Sequence, residues 1–378
     1  MDYDKLALDL HKAYRGKIET QLRDTSKLDR TTLSAYYSPG VGAVSKAIAA
    51  DPTTLPLYTW TNNLVAVISD GSAILGLGDL GPKAALPVME GKALLFKHFA
   101  GIDSVPIVLD VHSVDEIIAT VKAIAPSFGA INLEDIAAPK CFEIEERLKA
   151  ELDIPVFHDD QHGTAVVTLA GLINAATVTN RDLSATKVVT IGAGAAGTAI
   201  IKLLNRFGVK DITAVDSKGI IGDARTDLNS EKRSLLSYIN RSASGTIEDA
   251  LTDADIFIGV SMAGLLTPAL IAKMAPAPIV FALANPTPEI MPDIAKTAGV
   301  AVIGTGRSDF PNQVNNAVAF PGIFRGALDH GVTKITDEHK LAAAKAIAGL
   351  IEKPTADEVI PSVFDERLVR TVAAVITP

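Results

Sequence analysis

Cysteine, tryptophan and positive charge are scarce in this sequence. The single cysteine, Cys141, excludes an intramolecular disulfide framework and a zinc site built from cysteines. Lysine and arginine together number 35 against 44 aspartate and glutamate residues, which gives a net charge of −9. Because no block of basic residues offsets this balance, nucleic acid is not expected as a partner.

Long apolar runs are also missing. The sequence contains no stretch of about 18 apolar residues, the length that would span a membrane. The segment Met1–Lys5 is acidic and lacks the apolar centre of a signal peptide. The sequence therefore predicts a soluble, cytoplasmic protein. With 378 residues, 48% of them hydrophobic, two domains are expected.

Two short apolar segments, Gly129–Leu133 and Ile154–Phe157, each lead directly into a pair of acidic residues. Between them, Pro139–Leu152 has the apolar spacing of a helix. This order predicts a strand–helix–strand unit, which places both acidic pairs at the carboxyl end of a parallel sheet. Ligands bind at that edge in open α/β folds.

The acidic pairs are Glu134 with Asp135 and Asp159 with Asp160. Four carboxylates at one edge repel one another unless protons or a cation neutralise them. We therefore predict a site for a hard divalent cation, which prefers oxygen ligands. Helix capping by acidic residues is the simpler interpretation of either pair alone.

The segment before this unit contains two further candidates. Tyr37 precedes Ser-Pro-Gly, a turn that can present a side chain to a cleft, although tyrosines more often pack in a core. Lys92 follows Pro87 near the predicted start of a helix. There the helix dipole and burial would lower its pKa, as a general base requires, but a surface lysine is the default interpretation. The glycine-rich stretch Gly76–Gly81 is not expected to bind a dinucleotide, because Pro82 and Pro87 interrupt the helix that should follow.

A second glycine-rich stretch has the order typical of dinucleotide binding. The strand Val188–Ile191 leads to Gly192, Gly194 and Gly197, and a helix follows through Phe207. In that context Gly192, Gly194, Ala195, Ala196 and Gly197 are predicted to hold a pyrophosphate at the helix N-terminus.

The next strand ends at Asp216, 24 positions after Gly192. A carboxylate there holds the ribose hydroxyls and repels a 2′-phosphate, which favours NAD over NADP. Lys218 weakens that preference. Later strand ends carry Asn285 and Asn316, amides that could bind a substrate carboxylate or the nicotinamide and that are equally common in turns.

The predicted fold is α/β with two domains, an N-terminal α/β catalytic domain and a doubly wound Rossmann domain that binds NAD, closed by C-terminal helices. The expected boundaries are 1–160 for the substrate and metal domain, 161–335 for the Rossmann domain and 336–378 for the closing helices.

The chain resembles malic enzymes of the short bacterial type over nearly its whole length. The resemblance rests on motifs distributed along the chain, namely Tyr37–Val41, Asp70–Asp79, Glu90–Ala93, Asn132–Asp135, Phe157–Thr164, Gly192–Gly197, Ala284–Pro288 and Gln313–Gly322. It implies oxidative decarboxylation of L-malate to pyruvate and CO₂ with NAD and with Mg²⁺ or Mn²⁺, by a homodimer.

The resemblance also assigns roles to individual residues. It implies that Lys92 takes the proton of the C2 hydroxyl and that Tyr37 protonates C3 of enolpyruvate. Glu134, Asp135 and Asp160 are implied as metal ligands, with Asp159 supporting them. Asn285 and Asn316 are implied to bind substrate beside the nicotinamide.

One departure is apparent. Larger members of the family carry an arginine after the Asp-Gly that matches Asp70-Gly71, where it grips a substrate carboxylate. Here Ser72 and Ala73 follow instead, so another residue, such as Asn316 or one from a second subunit, has to bind that carboxylate.

Two alternatives remain. A metal-dependent oxaloacetate decarboxylase of the same family would need the metal site and the acid but no hydride transfer. A non-catalytic NAD-sensing protein is disfavoured, because Tyr37, Lys92 and the carboxylates are all present.

Overall fold

The computed structural model describes residues 3–378. The first half of the chain is built on a four-stranded parallel sheet. Its strand order is β2-β1-β3-β4. The strands are β1 Leu64–Ser69, β2 Asp103–Val108, β3 Ala130–Leu133 and β4 Val156–His158. The helices that connect and cover them are α5 Pro82–Ala100, α6 Val114–Ile124 and α7 Lys140–Glu151.

Strand β1 is buried along its whole length because helices cover both faces of the sheet. Val65 and Val67 pack with α5, whereas Ala66 and Ile68 pack with α6 and α7. This alternation follows from the two-residue period of a strand. Parallel pairing of the four strands brings their carboxyl ends to the same edge of the sheet.

Two helices differ from the sequence-based expectation. Helix α5 begins at Pro82 and continues through Pro87, so the prolines do not interrupt it. Pro82 is in the first turn, where the missing N–H would have no partner anyway. In the N-terminal region the charged residues 2–30 have an apolar spacing that is typical of a helix, but α1 ends at Tyr14; Met1 and Asp2 lie outside the described residues.

Helix α8, Asp159–Val178, joins the two halves. It begins at the second acidic pair. It packs against helix α9, Ala195–Phe207, of the second half and against helix α15, Asp337–Ala348, near the C-terminus. Fourteen of its twenty residues are buried. The expected division after residue 160 therefore falls within the first turn of this helix.

The second half contains a six-stranded sheet with the order β10-β9-β8-β5-β6-β7, in which only β7 is antiparallel. Its strands are β5 Lys187–Ile191, β6 Asp211–Asp216, β7 Gly219–Ile220, β8 Ile256–Gly259, β9 Ile279–Ala282 and β10 Val302–Thr305. The helices among them are α9 Ala195–Phe207, α10 Ser230–Leu235, α11 Ile247–Leu251, α12 Pro268–Ile271 and α13 Pro292–Thr297. The strand order reverses at β5, which is the doubly wound arrangement predicted from the sequence.

The last helices return to the first half. They are α14 Phe320–His330, α15 Asp337–Ala348 and α16 Leu368–Ala373. Phe320 and Phe324 of α14 lie edge-on to Phe96 of α5, with ring centroids 4.7 and 5.1 Å apart. No helix within residues 3–378 combines the length and apolar character needed to cross a membrane.

The N-terminal segment is different from the rest of the chain. Its helices are α1 Tyr3–Tyr14, α2 Arg30–Tyr36, α3 Val41–Ala50 and α4 Leu55–Tyr58, and none of them contains a buried residue. Large apolar side chains are exposed along it, including Leu8 at 74% and Leu22 at 82%.

Candidate active site

The two acidic pairs meet at the carboxyl edge of the first sheet, as the sequence predicts. Glu134 and Asp135 follow β3, and Asp159 and Asp160 follow the adjacent strand β4. The backbone N–H of Asp135 donates to Asp160 Oδ2 at 2.7 Å. Parallel pairing thus brings residues 25 positions apart into direct contact.

Lys92 lies in the middle of this acidic group. Its Nζ is 2.6 Å from Asp159 Oδ2 and 2.8 Å from Glu134 Oε1, and it lies 4.4 Å from the centroid of the Phe320 ring. Only 7% of its side chain is exposed. The interpretation of Lys92 as a surface lysine is wrong.

The expectation for the pKa of Lys92 is also wrong. Because α5 begins at Pro82, Lys92 is in the middle of the helix, away from the positive end of the dipole. Burial lowers its pKa, but the carboxylates of Asp159, Glu134 and Asp160 raise it more, so the pKa lies above the usual value for lysine.

The carboxylates have unusual proton affinities of their own. Burial, with repulsion from Asp160 and Glu134, raises the pKa of Asp135 to about 8. Burial also raises the pKa of Asp159 and of Asp160 to about 6, and that of Glu134 rises in the same direction for the same main reason. One ammonium group does not neutralise four carboxylates, of which three are buried and Asp160 is half-buried, so the site attracts further positive charge.

The donor chemistry of this site fits a hard divalent cation. Asp135 Oδ2, Asp159 Oδ1 and Asn132 Oδ1 are buried without a hydrogen-bond partner, and oxygen atoms of this kind are what Mg²⁺ and Mn²⁺ bind. Glu134 is held by Lys92 and by the Asn132 amide at 2.9 Å. Within residues 3–378 no three acidic, histidine or cysteine side chains are already arranged as a metal centre. The set Glu134, Asp135 and Asp160 stays a prediction.

The loop that carries Ser72 and Ala73 in place of the expected arginine is tied to the acidic edge. Ala73 N donates to the carbonyl of Asp135 at 3.0 Å, and Ser72 Oγ accepts from Ala137 N at 2.9 Å. Asp70 forms a buried ion pair with Lys140 at the start of α7. Lys140 was not singled out from the sequence, because it lies 70 positions from Asp70.

Tyr37 is not brought to this site by any contact among the described residues. It follows α2 in the N-terminal segment, and 71% of its surface is exposed. The expectation that Tyr37 packs in a core is therefore wrong. Within this single chain Tyr37 also has no contact through which it could act as the catalytic acid. Its role stays a prediction.

The glycine-rich loop of the second half has the geometry that the motif predicts. Gly192 follows β5 with φ 106°, and a side chain there would lie 2.5 Å from the carbonyl of Val260. A side chain at Gly197 would lie 1.8 Å from the carbonyl of Gly192. Gly194 precedes α9, and Ala195 and Ala196 form its first turn. The free N–H groups of that turn are suited to a pyrophosphate, although the contacts of these residues with NAD stay a prediction.

Asp216 closes β6 as predicted, but it is not a free carboxylate. It accepts hydrogen bonds from Arg225 at 3.1 and 3.3 Å and from Lys232 at 2.5 Å. Burial raises its pKa, but these two cations lower it more, so the pKa is below the usual value. Lys218 pairs with Asp227 at 2.8 Å instead. Arg225 and Lys232 were not identified from the sequence, because no motif marks them.

Asn285 and Asn316 lie where the two halves meet. The carbonyl of Asn285 is so close to Gly76 that a methyl group there would lie 3.0 Å from it. A methyl group at Gly163, in α8, would lie 3.0 Å from Asn316 Cβ. The backbone of Asn285 thus lies beside the Gly76 loop of the first half, and Asn316 lies beside α8, whereas the side-chain amide of Asn285 lies near Gly306 of the second half. The substrate-binding role of both residues stays a prediction.

A buried glutamate, Glu145 of α7, braces the turn that carries Asp159 and Asp160. It accepts from His158 N at 3.1 Å and from Gln161 Nε2 at 3.4 Å, and it contacts His162 Nε2 at 2.7 Å. No sequence motif marks this role, since Glu145 is one of several charged residues in α7.

Family comparisons cover almost the whole chain. The family model described as "Malic enzyme, N-terminal domain" matches residues 15–149, and "Malic enzyme, NAD binding domain" matches residues 161–377.

Individual relatives agree with these matches. The chain is 55% identical to the bifunctional malic/malolactic enzyme of Bacillus subtilis, over 97% of this chain and 90% of that protein. It is 46% identical to an NADP-dependent malic enzyme of Halomonas elongata, over 98% and 92% of the two chains. Among solved structures, the NAD-dependent malic enzyme of Thermotoga maritima superposes with a TM-score of 0.94 at 50% identity, covering 98% of each chain.

Proposed function

Because this chain belongs to the malic enzyme family, we propose that it oxidises L-malate with NAD and releases pyruvate and CO₂, in the presence of Mg²⁺ or Mn²⁺. The observation that carries the proposal is the position of Lys92, buried between Asp159 and Glu134 at the edge of the first sheet. A nicotinamide-binding domain lies in the same chain. Hydride transfer and decarboxylation need both parts.

Lys92 is proposed to accept the proton of the C2 hydroxyl. Its ammonium is held by Asp159 and Glu134, and the neutral amine that can act as a base becomes available when their negative charge is neutralised. Glu134, Asp135 and Asp160 would hold the metal ion, which when bound supplies neutralisation of that charge and an electron sink for the enolate. Phe320 shields the lysine from water on one side.

Asp159 is proposed to position Lys92. It is fully buried, and its Oδ2 makes the shortest contact of the lysine. Asn285 and Asn316 are proposed to bind the substrate. They partly replace the carboxylate-binding arginine that larger family members carry where this chain has Ser72 and Ala73. An amide supplies a hydrogen bond without the full charge of a guanidinium, so a weaker grip on the carboxylate is expected.

NAD is the proposed cofactor, and a strict exclusion of NADP is not expected. Asp216 ends β6, and a carboxylate at that point of a Rossmann fold can hold ribose hydroxyls. However, Arg225 and Lys232 neutralise it and supply charges that a 2′-phosphate could use. Malic enzymes named for either cofactor are similar to this chain.

We further propose a homodimer formed through the N-terminal segment. Helices α1–α4 bury no residue within the chain, although Leu8, Leu22 and Trp60 are large apolar side chains exposed by 74, 82 and 48%. Apolar surface of this extent marks an interaction site. Tyr37 lies on the same segment, so the dimer would decide what its hydroxyl contacts. Sedimentation velocity checks the state: a monomer at micromolar concentration would contradict this part of the proposal.

The second candidate is a metal-dependent oxaloacetate decarboxylase. The acidic site would serve both reactions, since decarboxylation of oxaloacetate is the second half of malate oxidation. The intact Gly192–Gly197 loop and the base at Lys92 favour the full reaction, because a decarboxylase has no hydroxyl proton to remove.

The deciding experiment measures NADH formation from L-malate by purified protein, with Mn²⁺ and then with excess EDTA. We expect NADH, pyruvate and CO₂ in equal amounts with the metal and none with EDTA. Rapid consumption of oxaloacetate without NADH formation from malate, at neutral and acidic pH, would establish the decarboxylase instead. NADH formation that EDTA leaves unchanged would refute the metal assignment.

A further inference from the structure

A cavity of about 340 Å³ lies behind the acidic site, between parts of the chain that belong to different halves. Helix α7 of the first half, α9 of the Rossmann half and the C-terminal helix α15 all contribute to its wall. The proposed reaction uses no residue that lines it. Its volume is in the range of small-molecule sites.

Four cationic side chains converge on this cavity from the three helices. They are Lys149 of α7, Lys202 and Arg206 of α9, and Lys340 of α15. Burial, and then repulsion from Lys149, lower the pKa of Lys340 more than the carboxylates of Glu145 and Asp337 raise it.

Lys340 is the most informative of the four, because only 7% of its side chain is exposed. Its Nζ donates one hydrogen bond, to Asp337 Oδ1 at 3.1 Å. An ammonium group has three donors, and the described residues offer no hydrogen-bond acceptor for the other two. Burying an ammonium group with two unused donors costs free energy unless a further acceptor forms hydrogen bonds with them.

The other cations are also incompletely paired. Lys202 has no carboxylate partner within residues 3–378, and its Nζ lies 5.8 Å from the centroid of the Tyr238 ring. Arg206 Nε is 3.6 Å from Asp337 Oδ2, too far for a hydrogen bond. Lys149 Nζ is 2.8 Å from Glu145 Oε1.

Four acidic residues also line the cavity, but they do not saturate these donors. Glu145 is already occupied by His158 N, Gln161 and His162 as well as by Lys149. Glu146 is exposed and Glu231 is half-buried, so water screens both. The four acids equal the four cations in formal charge, and Arg206 is itself exposed by 60%. The buried group with unused hydrogen-bonding capacity is therefore Lys340.

We propose that this cavity is a binding site for a small dianion, held by Lys149, Lys202 and Lys340 and joining the two halves of the chain. Lysine ammonium groups act as point charges and do not select a planar geometry. A phosphate group and a small dicarboxylate share the required charge, and the experiment distinguishes the two.

The test is calorimetric titration of the metal-free full-length protein with inorganic phosphate, and separately with succinate, at neutral pH and constant ionic strength. We expect one cavity site per chain. In the double variant Lys149→Gln/Lys340→Met, affinity for the cavity ligand should fall by at least about tenfold, since each lost bond involves a charged group. Loss of phosphate binding assigns the site to phosphoryl compounds, and loss of succinate binding assigns it to dicarboxylates.

The matched control is Lys210→Gln/Lys353→Gln, which removes the same charge from two exposed lysines outside the cavity. It should bind as the unmodified protein does. If the double cavity variant does not fold, the single variant Lys202→Gln decides, with an expected loss of roughly threefold or more. The proposal is overturned if neither probe binds, or if the cavity and control variants bind equally well.

Discussion

Two groups of charged side chains lie at strand ends in the two halves of the molecule, and their charge balance is opposite. In the first half, Lys92 faces four carboxylates, three of them buried, and the pKa values of the acids rise. In the second half, Asp216 faces Arg225 and Lys232, and its pKa falls. The first group is short of positive charge and therefore suits a metal ion. The second has cations to spare and therefore suits an anionic cofactor.

The strongest test of this contrast removes a carboxylate from the first group. Asp135→Asn and Asp160→Asn should each reduce malate oxidation by more than about 100-fold, the loss caused when even an indirect metal-supporting residue is removed. Steady-state NADH formation over a range of Mn²⁺ concentrations measures the effect. Asp153→Asn, an exposed acid on the same half, is the control and should retain activity. Normal turnover by either site variant at ordinary metal concentration would refute the metal assignment.

The next test removes the cation of the first group. Lys92→Ala should reduce malate oxidation by about two to four orders of magnitude, as expected for loss of a general base. Lys97→Ala, on an exposed turn of the same helix, should have little effect. Partial rescue of Lys92→Ala by small amines would identify the missing base. Unchanged rates in Lys92→Ala would show that another residue takes the proton.

Protonation of the first group should be visible in the stability of the metal-free protein. The pKa of Asp135 is raised to about 8, from a usual value for aspartate of about 3.9, so the native state binds more protons than the unfolded state between these values. The free energy of unfolding should therefore fall as pH rises from about 4 to about 8. Urea titrations across this range measure it, and Asp135→Asn should show a flatter dependence. A variant with the same slope as the unmodified protein would assign the effect to other groups.

The smallest effect is expected in the second group. Asp216→Ser removes the repulsion of a 2′-phosphate and frees Lys232 to pair with it, while Arg225 keeps its ion pair with Asp227. The substitution should shift the ratio of kcat/KM values towards NADP by about tenfold. Lys232→Gln should shift it towards NAD. Kinetics with both cofactors at equal concentration measure the ratios. If the unmodified protein is faster with NADP, the cations already outweigh Asp216.

Several parts of the site could be predicted because the sequence marks them locally. The acids after β3 and β4 follow apolar strands, and parallel pairing leaves only one edge for them. Gly192 and Gly197 occur in a fixed spacing whose reason is steric. The pKa of Lys92 could not be predicted, since it depends on Asp159 and Glu134, which lie far away in the chain.

The sequence by itself determined the two α/β halves, the acidic strand ends and the dinucleotide loop, because periodicity and glycine spacing act over a few residues. Only the tertiary structure decided how each charge is paired. Arg225 and Lys232 on Asp216, Lys140 on Asp70 and Glu145 beneath the acidic turn are contacts between separate elements. The strength of an ionic interaction depends on distance and burial, which no local pattern contains.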